Sequence, residues 1–309
     1  MKPPLLIIVG PTASGKTGLG IRLAKRFDGE VVSGDSMQIY RGMDIGTAKV
    51  TPEEQEGVPH HLIDIIEPDV PFSVSEFKTR ARRTIADIQA RGKLPILVGG
   101  TGLYIEAVVH DYLMPQVREC PETREKYRRL AEERGNEALH RVLAEVDPET
   151  AARLHPNDVK RVIRALEVYE ITGKPLSKSA GKGESPYDAL WIGLTMRRDR
   201  LYERINRRVD EMLDAGLIDE VRRLVNRGYG RHLTSMQGIG YKEIISFLEG
   251  EISREEAVRL IKKGTRKYAK RQLSWFRRLS EIHWFDAEDN RSFPEIVELV
   301  AGKFQADGE

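Results

Sequence analysis

The segment Gly10-Pro11-Thr12-Ala13-Ser14-Gly15-Lys16-Thr17 has two glycines separated by four residues, then a lysine and a hydroxyl. Glycines at this spacing let successive backbone N–H groups turn inward, making a nest for phosphate oxygens. Lys16 adds a point charge and Thr17 a hydroxyl suited to Mg²⁺. A helix starting here adds the partial positive charge of its N-terminus. The chemistry indicated is phosphate or diphosphate binding. A P-loop fixes the anion but not the reaction. Its commonest use is phosphoryl transfer from ATP or GTP, yet the chain has no run of four hydrophobic residues ending in Asp, the usual second metal motif.

Two further segments carry polar chemistry where a strand should end. In Glu30 to Tyr40, Asp35 and Gln38 fall just past an apolar stretch, at the edge where open α/β sheets bind ligands. Asp35 could hold Mg²⁺ through water, act as a general base, or simply form a turn capping Ser36 onward. Val98-Gly-Gly-Thr-Gly-Leu-Tyr104 repeats the arrangement: its glycines would bring backbone close to a ligand and present Thr101. Arginines follow. Leu201, Ile205, Val209 and Met212 form one helical stripe, with Arg204 and Arg208 flanking it one turn apart. There they could reach a phosphate or remain on the surface.

These groups need elements to position them. The unbroken apolar run Leu5 to Val9 reads as a strand buried on both faces. Glu30 to Ser33, Leu62 to Ile66, Leu94 to Val98, Leu190 to Thr195 and Ile282 to Phe285 read likewise. Helical patterns lie between them, such as Glu76 to Arg91, so a parallel sheet with crossover helices is expected. From Pro121 to Gly173 everything reads helical, and a Gly/Ser/Lys/Pro-rich stretch leads back toward Leu190. The fold class is therefore α/β: a P-loop parallel-sheet core (1–116 and 190–309, with a basic helical C-terminal part) carrying an all-helical insertion at 117–189. Within the insertion, Val162, Ile163, Leu166 and Tyr169 share one helical face and Lys160, Arg161 and Arg164 another.

The 309 residues match about two domains at ~150 each, and 40% hydrophobic content supports a real core. Global disorder is excluded. Net charge is +2, but residues 259–278 hold nine bases and no acid, leaving the rest of the chain at −7. Solvated faces usually interleave Glu with Lys, so this stretch suggests a polyanion partner. Tyr268, Trp275 and Phe276 within it are expected in the core, given their helical spacing. The single cysteine, Cys120, allows no internal disulfide, and no Cys/His cluster offers a zinc site. No apolar run approaches the ~18 residues of a membrane span, and the N-terminal apolar run is too short for a signal peptide. A cytoplasmic protein, monomeric by default and without membrane association, is the expectation.

Several segments together resemble one family. GPTASGKT at 10, DSMQIYRGMDIGTAK at 35, HHLID at 60, FSVSEF at 72, GGTGLY at 99, HPNDVKRVIRALEV at 155, RINRRVDEML at 204, QGIGYKE at 237 and TRKYAKRQLSWFR at 265 occur in order over nearly the whole chain. They are similar to the bacterial tRNA dimethylallyltransferases, also called tRNA isopentenyltransferases. The resemblance implies transfer of a dimethylallyl group from dimethylallyl diphosphate to the exocyclic N6 amine of the adenosine immediately 3′ of the anticodon, in the anticodon stem-loop of tRNA. The P-loop would then bind diphosphate as a leaving group, with Lys16, Mg²⁺ on Thr17, and one or more of Arg197, Arg204 and Arg208 taking up its charge. The resemblance makes Asp35 the base and Thr101 its helper. It assigns tRNA contacts to Asp35, Ser36, Met37, Gln38, Thr101, Thr123, Lys160, Arg161, Arg164 and the segment from Gln237, with Lys267 and Arg271 on backbone phosphates. A P-loop kinase, a nucleotide-sensing RNA-binding protein and a prenyltransferase of free adenine nucleotides are the competing readings. The first leaves the basic stretch unexplained, and the last needs neither that stretch nor the insertion.

Overall fold

The computed structural model describes residues 2–110, 112, 117, 119–179, 181 and 183–304. In chain order, β1 (Pro4–Val9), α1 (Lys16–Arg26), β2 (Gly29–Ser33), the two-residue β3 (His60–His61), α2 (Val74–Ala90), β4 (Leu94–Gly99) and α3 (Gly102–Val109) come first. Next are α4 (Pro121–Arg134), α5 (Asn136–Val146), α6 (Pro148–Arg153), α7 (Val159–Thr172) and the single turn α8 (Leu176–Ser179). Then follow β5 (Asp188–Thr195), α9 (Arg198–Asp214), α10 (Leu217–Asn226), α11 (Tyr241–Leu248), α12 (Arg254–Phe276), β6 (Ile282–Asp286) and α13 (Ser292–Phe304). A 3-10 turn, Ser235–Gln237, precedes α11.

The strands form one sheet in the order β3-β2-β4-β1-β5-β6, every pair parallel. Helices cover both faces, which is why Leu5 to Val9 is buried at every position. Leu5, Ile7 and Val9 pack with Phe77, Ile85 and Phe276. Leu6 and Ile8 face the opposite core with Leu23, Ile192 and Val300. The start of α2 is fixed by a capping box in which Ser73 and Glu76 satisfy each other's backbone N–H groups.

One expected strand is absent. Leu62 and Asp64 adopt positive φ, 63° and 55°, which no β-strand accommodates. Pairing with β2 therefore stops at His61, and the N–H groups of Ile65 and Ile66 turn to the carbonyl of Ile39 instead.

The chain divides into two compact units, one combining residues up to Val109 with those from Pro186 on, the other His110–Ser185. The expected boundary at residue 116 lies outside the described residues. Asp188 and Ala189, expected at the end of the insertion, pair with Pro4 and Leu5 as the start of β5. The second unit is all helical around Tyr127, Leu139, Leu143, Val162 and Leu166. Among the described residues no helix is long and apolar enough to cross a membrane.

Candidate active site

Strand register gathers the loops that carry chemistry. Val9 pairs with Gly99 and with Gly193, and Ser33 pairs with Val98. The segments after β1, β2 and β4 therefore leave the sheet at one edge, as the sequence predicts.

The P-loop follows β1. At Gly10 φ is +148°, and a Cβ there would lie 2.5 Å from the carbonyl oxygen of Leu194, so only glycine fits. Ala13 holds φ 64°, a conformation that costs a non-glycine residue energy. Packing against Met196, Leu201, Ile205 and Ala269 keeps it there. The Ser14 hydroxyl is buried without a hydrogen-bond partner among the described residues. Such an orphan is what a cradle built for an anion leaves unfilled. Lys16 Nζ donates to the Pro11 carbonyl at 2.7 Å. Burial pushes the Lys16 ammonium down to about 7, Arg208 adds to this, and Asp35 opposes it.

Arg204 and Arg208 of α9 turn toward the cradle. A Cβ on Gly15 would lie 3.9 Å from an Arg204 guanidinium nitrogen. Burial and the neighbouring Arg204 lower the pKa of Arg208, against Glu211 and Glu54. Neither arginine has an ion pair among the described residues, so with Lys16 they gather positive charge at the cradle that the more distant Glu211 and Glu54 only partly oppose. Arg197 differs: it is exposed and paired with Asp199 at 2.7 Å.

Across from the cradle, Asp35 Oδ1 accepts the N–H of Met37 at 2.8 Å and of Gln38 at 3.4 Å. No hydrogen bond among the described residues ends on Oδ2. Burial raises the Asp35 carboxyl above its ordinary value, opposed by those two N–H groups and by Lys16. Lys16 and Asp35 are thus close enough for each charge to move the other's proton. Thr101 Oγ1 accepts from the Ser36 N–H at 3.3 Å and lies 3.4 Å from Ser36 Oγ. Gln38 is held at both ends of its amide: Oε1 accepts from Ser33 Oγ at 3.0 Å, and Nε2 donates to the carbonyls of Thr47 and Ala48, both at 3.3 Å.

The basic stretch divides once α12 is in place. Arg259 pairs with Glu256, Lys262 with Asp210, and Arg266 bonds Asn206 at 2.6 Å. Lys267, Lys270, Arg271 and Arg277 are exposed and have no ion pair among the described residues. Phe276 is fully buried, as expected. Tyr268 instead turns to the site, beside Thr101 and Gln272, with its pKa pushed up to about 12 by burial and by Asp35. Gln237 is exposed and bonds the Arg231 carbonyl. A Cβ on the adjacent Gly238 would meet the Met37 methyl at 2.7 Å, so the Gln237 segment packs on the loop after β2.

Thr123, Lys160, Arg161 and Arg164 belong to the helical unit. The Thr123 side chain is buried and bonds Cys120 Sγ at 3.3 Å. Arg164 is committed internally, to Glu167 at 2.5 Å and the Val117 carbonyl at 3.1 Å. Glu167 is fully buried. Burial pushes its pKa up, but Arg124, the Cys120 N–H and Arg164 outweigh that and hold it low. Lys160 is exposed, as is Arg161, which pairs with Asp158 at 2.6 Å.

Sequence reasoning missed Gln272 and Glu220. Glu220, buried on α10, accepts the N–H groups of Asp44, Ile45 and Gly46 at 3.0, 2.8 and 3.1 Å. It also accepts the Tyr241 hydroxyl at 2.7 Å. A polar residue on the apolar face of α10 was the available signal.

Comparison with known proteins identifies the family and the fold. The IPP transferase family model matches residues 38–279, and an isopentenyl transferase model matches residues 3–72. A tRNA dimethylallyltransferase of Caldanaerobacter subterraneus is 54% identical over 310 residues, covering 97% of this chain and 98% of its own. One from Geobacillus thermodenitrificans is 54% identical over 311 residues, covering 99% and 98%. Among solved structures, the tRNA isopentenylpyrophosphate transferase of Bacillus halodurans superposes with TM-score 0.75 at 50% identity, covering 98% of this chain and 97% of that one. A eukaryotic dimethylallyltransferase acting on tRNA gives TM-score 0.78 at 31% identity, covering 97% and 77%.

Proposed function

The chain belongs to the IPP transferase family, and we infer that it transfers a dimethylallyl group to tRNA. In this reading the donor is dimethylallyl diphosphate and the acceptor the exocyclic N6 amine of the adenosine immediately 3′ of the anticodon. The enzyme works as a monomer in the cytoplasm. The observation that carries the reading is the pairing of a cation-rich anion cradle with a half-buried carboxylate whose charge couples to the cradle lysine.

The reaction breaks the allylic C–O bond and forms a C–N bond. The leaving diphosphate takes up negative charge, which the P-loop N–H groups, the Ser14 hydroxyl, Lys16, Arg204 and Arg208 are placed to receive. An exocyclic adenine amine is a poor nucleophile. Asp35 Oδ2, the oxygen not engaged by backbone, takes its proton as the new bond forms. Thr101, tied to Ser36, keeps the Asp35 turn and the amine in line. A stacked adenine cannot reach this depth, so the base is flipped out of the loop. Gln38, with its amide ends fixed, lies beside its path. The exposed cations of α12 hold the RNA backbone.

The site suits Mg²⁺ as cofactor. Among the described residues no cluster of three His, Cys, Asp or Glu could hold a metal, whereas Thr17 offers one hydroxyl beside a diphosphate. Mg²⁺ is commonly held this way, by few protein groups plus substrate phosphates and water, and would neutralise leaving-group charge.

The test mixes protein, Mg²⁺, unmodified tRNA and labelled dimethylallyl diphosphate, with ATP replacing the prenyl donor in a parallel sample. Label entering tRNA, and lost when the target adenosine is changed to guanosine, is expected. Phosphate transfer from ATP without prenyl incorporation would overturn the reading.

A further inference from the structure

Gln272 is a polar group at this site still without a role. It is 5% exposed. On α12 it stands one turn from Tyr268 and one from Trp275, so the three side chains share a helix face. Its Oε1 accepts the Thr12 N–H at 2.8 Å, and its Nε2 donates to the Gly100 carbonyl at 3.0 Å. One amide thus joins the backbones of the two loops that carry diphosphate and Thr101. Its orientation is fixed, because Thr12 offers only a donor there and Gly100 only an acceptor.

The fit explains the glycines of the Gly99–Gly102 loop differently from the sequence reading. A Cβ on Gly100 would lie 2.1 Å from Gln272 Nε2, and one on Gly102 would lie 2.2 Å from Trp275 Cδ1. These glycines admit α12 rather than a ligand. On the other side, Thr12 lies between Gly10 and Ala13, both at positive φ. Its N–H is taken up by Gln272 and not by the cradle. Without that acceptor, a part-buried backbone donor loses its partner in the segment whose shape the diphosphate needs.

We propose that Gln272 is a positioning residue, setting the spacing between the diphosphate cradle and the Thr101–Asp35 side of the site. The proposal rests on the reading above, in which the P-loop holds the donor. Removing the amide should let the two loops drift apart while α12 keeps its outward cations.

The experiment compares full-length wild type with Gln272→Met, which keeps length but neither hydrogen bond. Trp275→Phe, from the same helix face, serves as control because it breaks the Trp275–Glu106 bond and leaves both Gln272 bonds in place. Four quantities are read: donor KM, kcat with saturating tRNA, Kd for tRNA, and Kd for inorganic pyrophosphate with Mg²⁺. Thermal midpoints are matched alongside. Gln272→Met should raise donor KM and pyrophosphate Kd by about fivefold and lower kcat by about tenfold, with tRNA Kd held within about twofold. Trp275→Phe should lower the thermal midpoint while moving all four by less than about twofold. Gln272→Asn, one methylene too short to span both loops, replaces Gln272→Met in the same comparison if the latter does not fold. Effects no larger than those of Trp275→Phe, or donor and tRNA affinities falling together, would overturn the proposal. If wild type transfers no prenyl group, the functional reading fails and pyrophosphate Kd alone decides Gln272: weakened in Gln272→Met but not in Trp275→Phe, the proposal stands; otherwise it falls.

Discussion

Asp35 and Lys16 set each other's protonation, and the signs can be worked out at the level of these two side chains. Burial lifts the Asp35 carboxyl above its ordinary 3.8, and two backbone N–H groups and Lys16 hold it back. As a base it must be ionised, so kcat should fall on the acid side with a midpoint above the ordinary carboxylate value. Asp35→Asn keeps an oxygen for the Met37 N–H but removes the base. It should lower kcat by about a hundredfold or more and abolish the acid limb, with tRNA Kd little changed. A kcat within a few-fold of wild type would rule out the base role. Lys16 works in the opposite sense. With its ammonium at about 7 in the free site, it is largely neutral at alkaline pH. A diphosphate in the cradle favours the charged form, so binding takes up a proton. Calorimetry in buffers of different ionisation enthalpy should show little uptake at about pH 6, rising toward one proton at about pH 8, with affinity falling as pH rises through 7. Lys16→Ala should show no such uptake and weaker binding.

Elements hold these residues through contacts far apart in sequence, and that distance decides what was legible beforehand. The apolar run of β1, the glycine spacing after it and the helix that follows are local signals, and the structure keeps them. The run Leu62 to Ile66 looks equally strand-like, but positive φ at Leu62 and Asp64 breaks it, and nothing in five apolar-rich residues announces that. Glu220 lies 176 residues from Asp44, and Gln272 lies 260 from Thr12. Each reads in sequence as one polar residue on a helix, because its partners are backbone groups that carry no sequence signature. Glu220 is the clearer case for a test. Its carboxylate gathers three consecutive N–H groups of the loop after β2, and the Tyr241 ring leaves no room for a Cβ on Gly46. Glu220→Ala leaves those part-buried donors without their acceptor, at on the order of 1–3 kcal/mol. It should lower the thermal midpoint and raise Kd for tRNA through the loosened Asp35–Ala48 loop. Pyrophosphate binding should survive, since the cradle is built from β1 and α1. Equal loss of both affinities would mean that Glu220 supports the whole sheet edge instead.

Across the whole chain, a net charge of +2 conceals a stretch of nine bases with no acid. Sequence alone assigns all nine to a polyanion; the fold divides them. Arg259 and Lys262 face Glu256 and Asp210, so their charge is spent within the protein. Lys267, Lys270, Arg271 and Arg277 stand exposed without ion pairs among the described residues, beyond the face of α12 that carries Gln272. Counterion release then makes a quantitative distinction. A side chain that neutralises an RNA phosphate contributes roughly 0.7 to 0.9 to the slope of log Kd against log salt, and one already paired contributes far less. Replacing Lys267 and Arg271 by Gln should flatten the slope by about 1.4 to 1.8, weakening tRNA binding at low salt more than at high salt. Replacing Arg259 and Lys262 by Gln should leave the slope within about 0.5 of wild type. If both pairs flatten it equally, the cations act as a diffuse field and the division between inward and outward faces carries no recognition. If neither does, α12 is a solvated surface, and the RNA backbone is held by other cations of the chain.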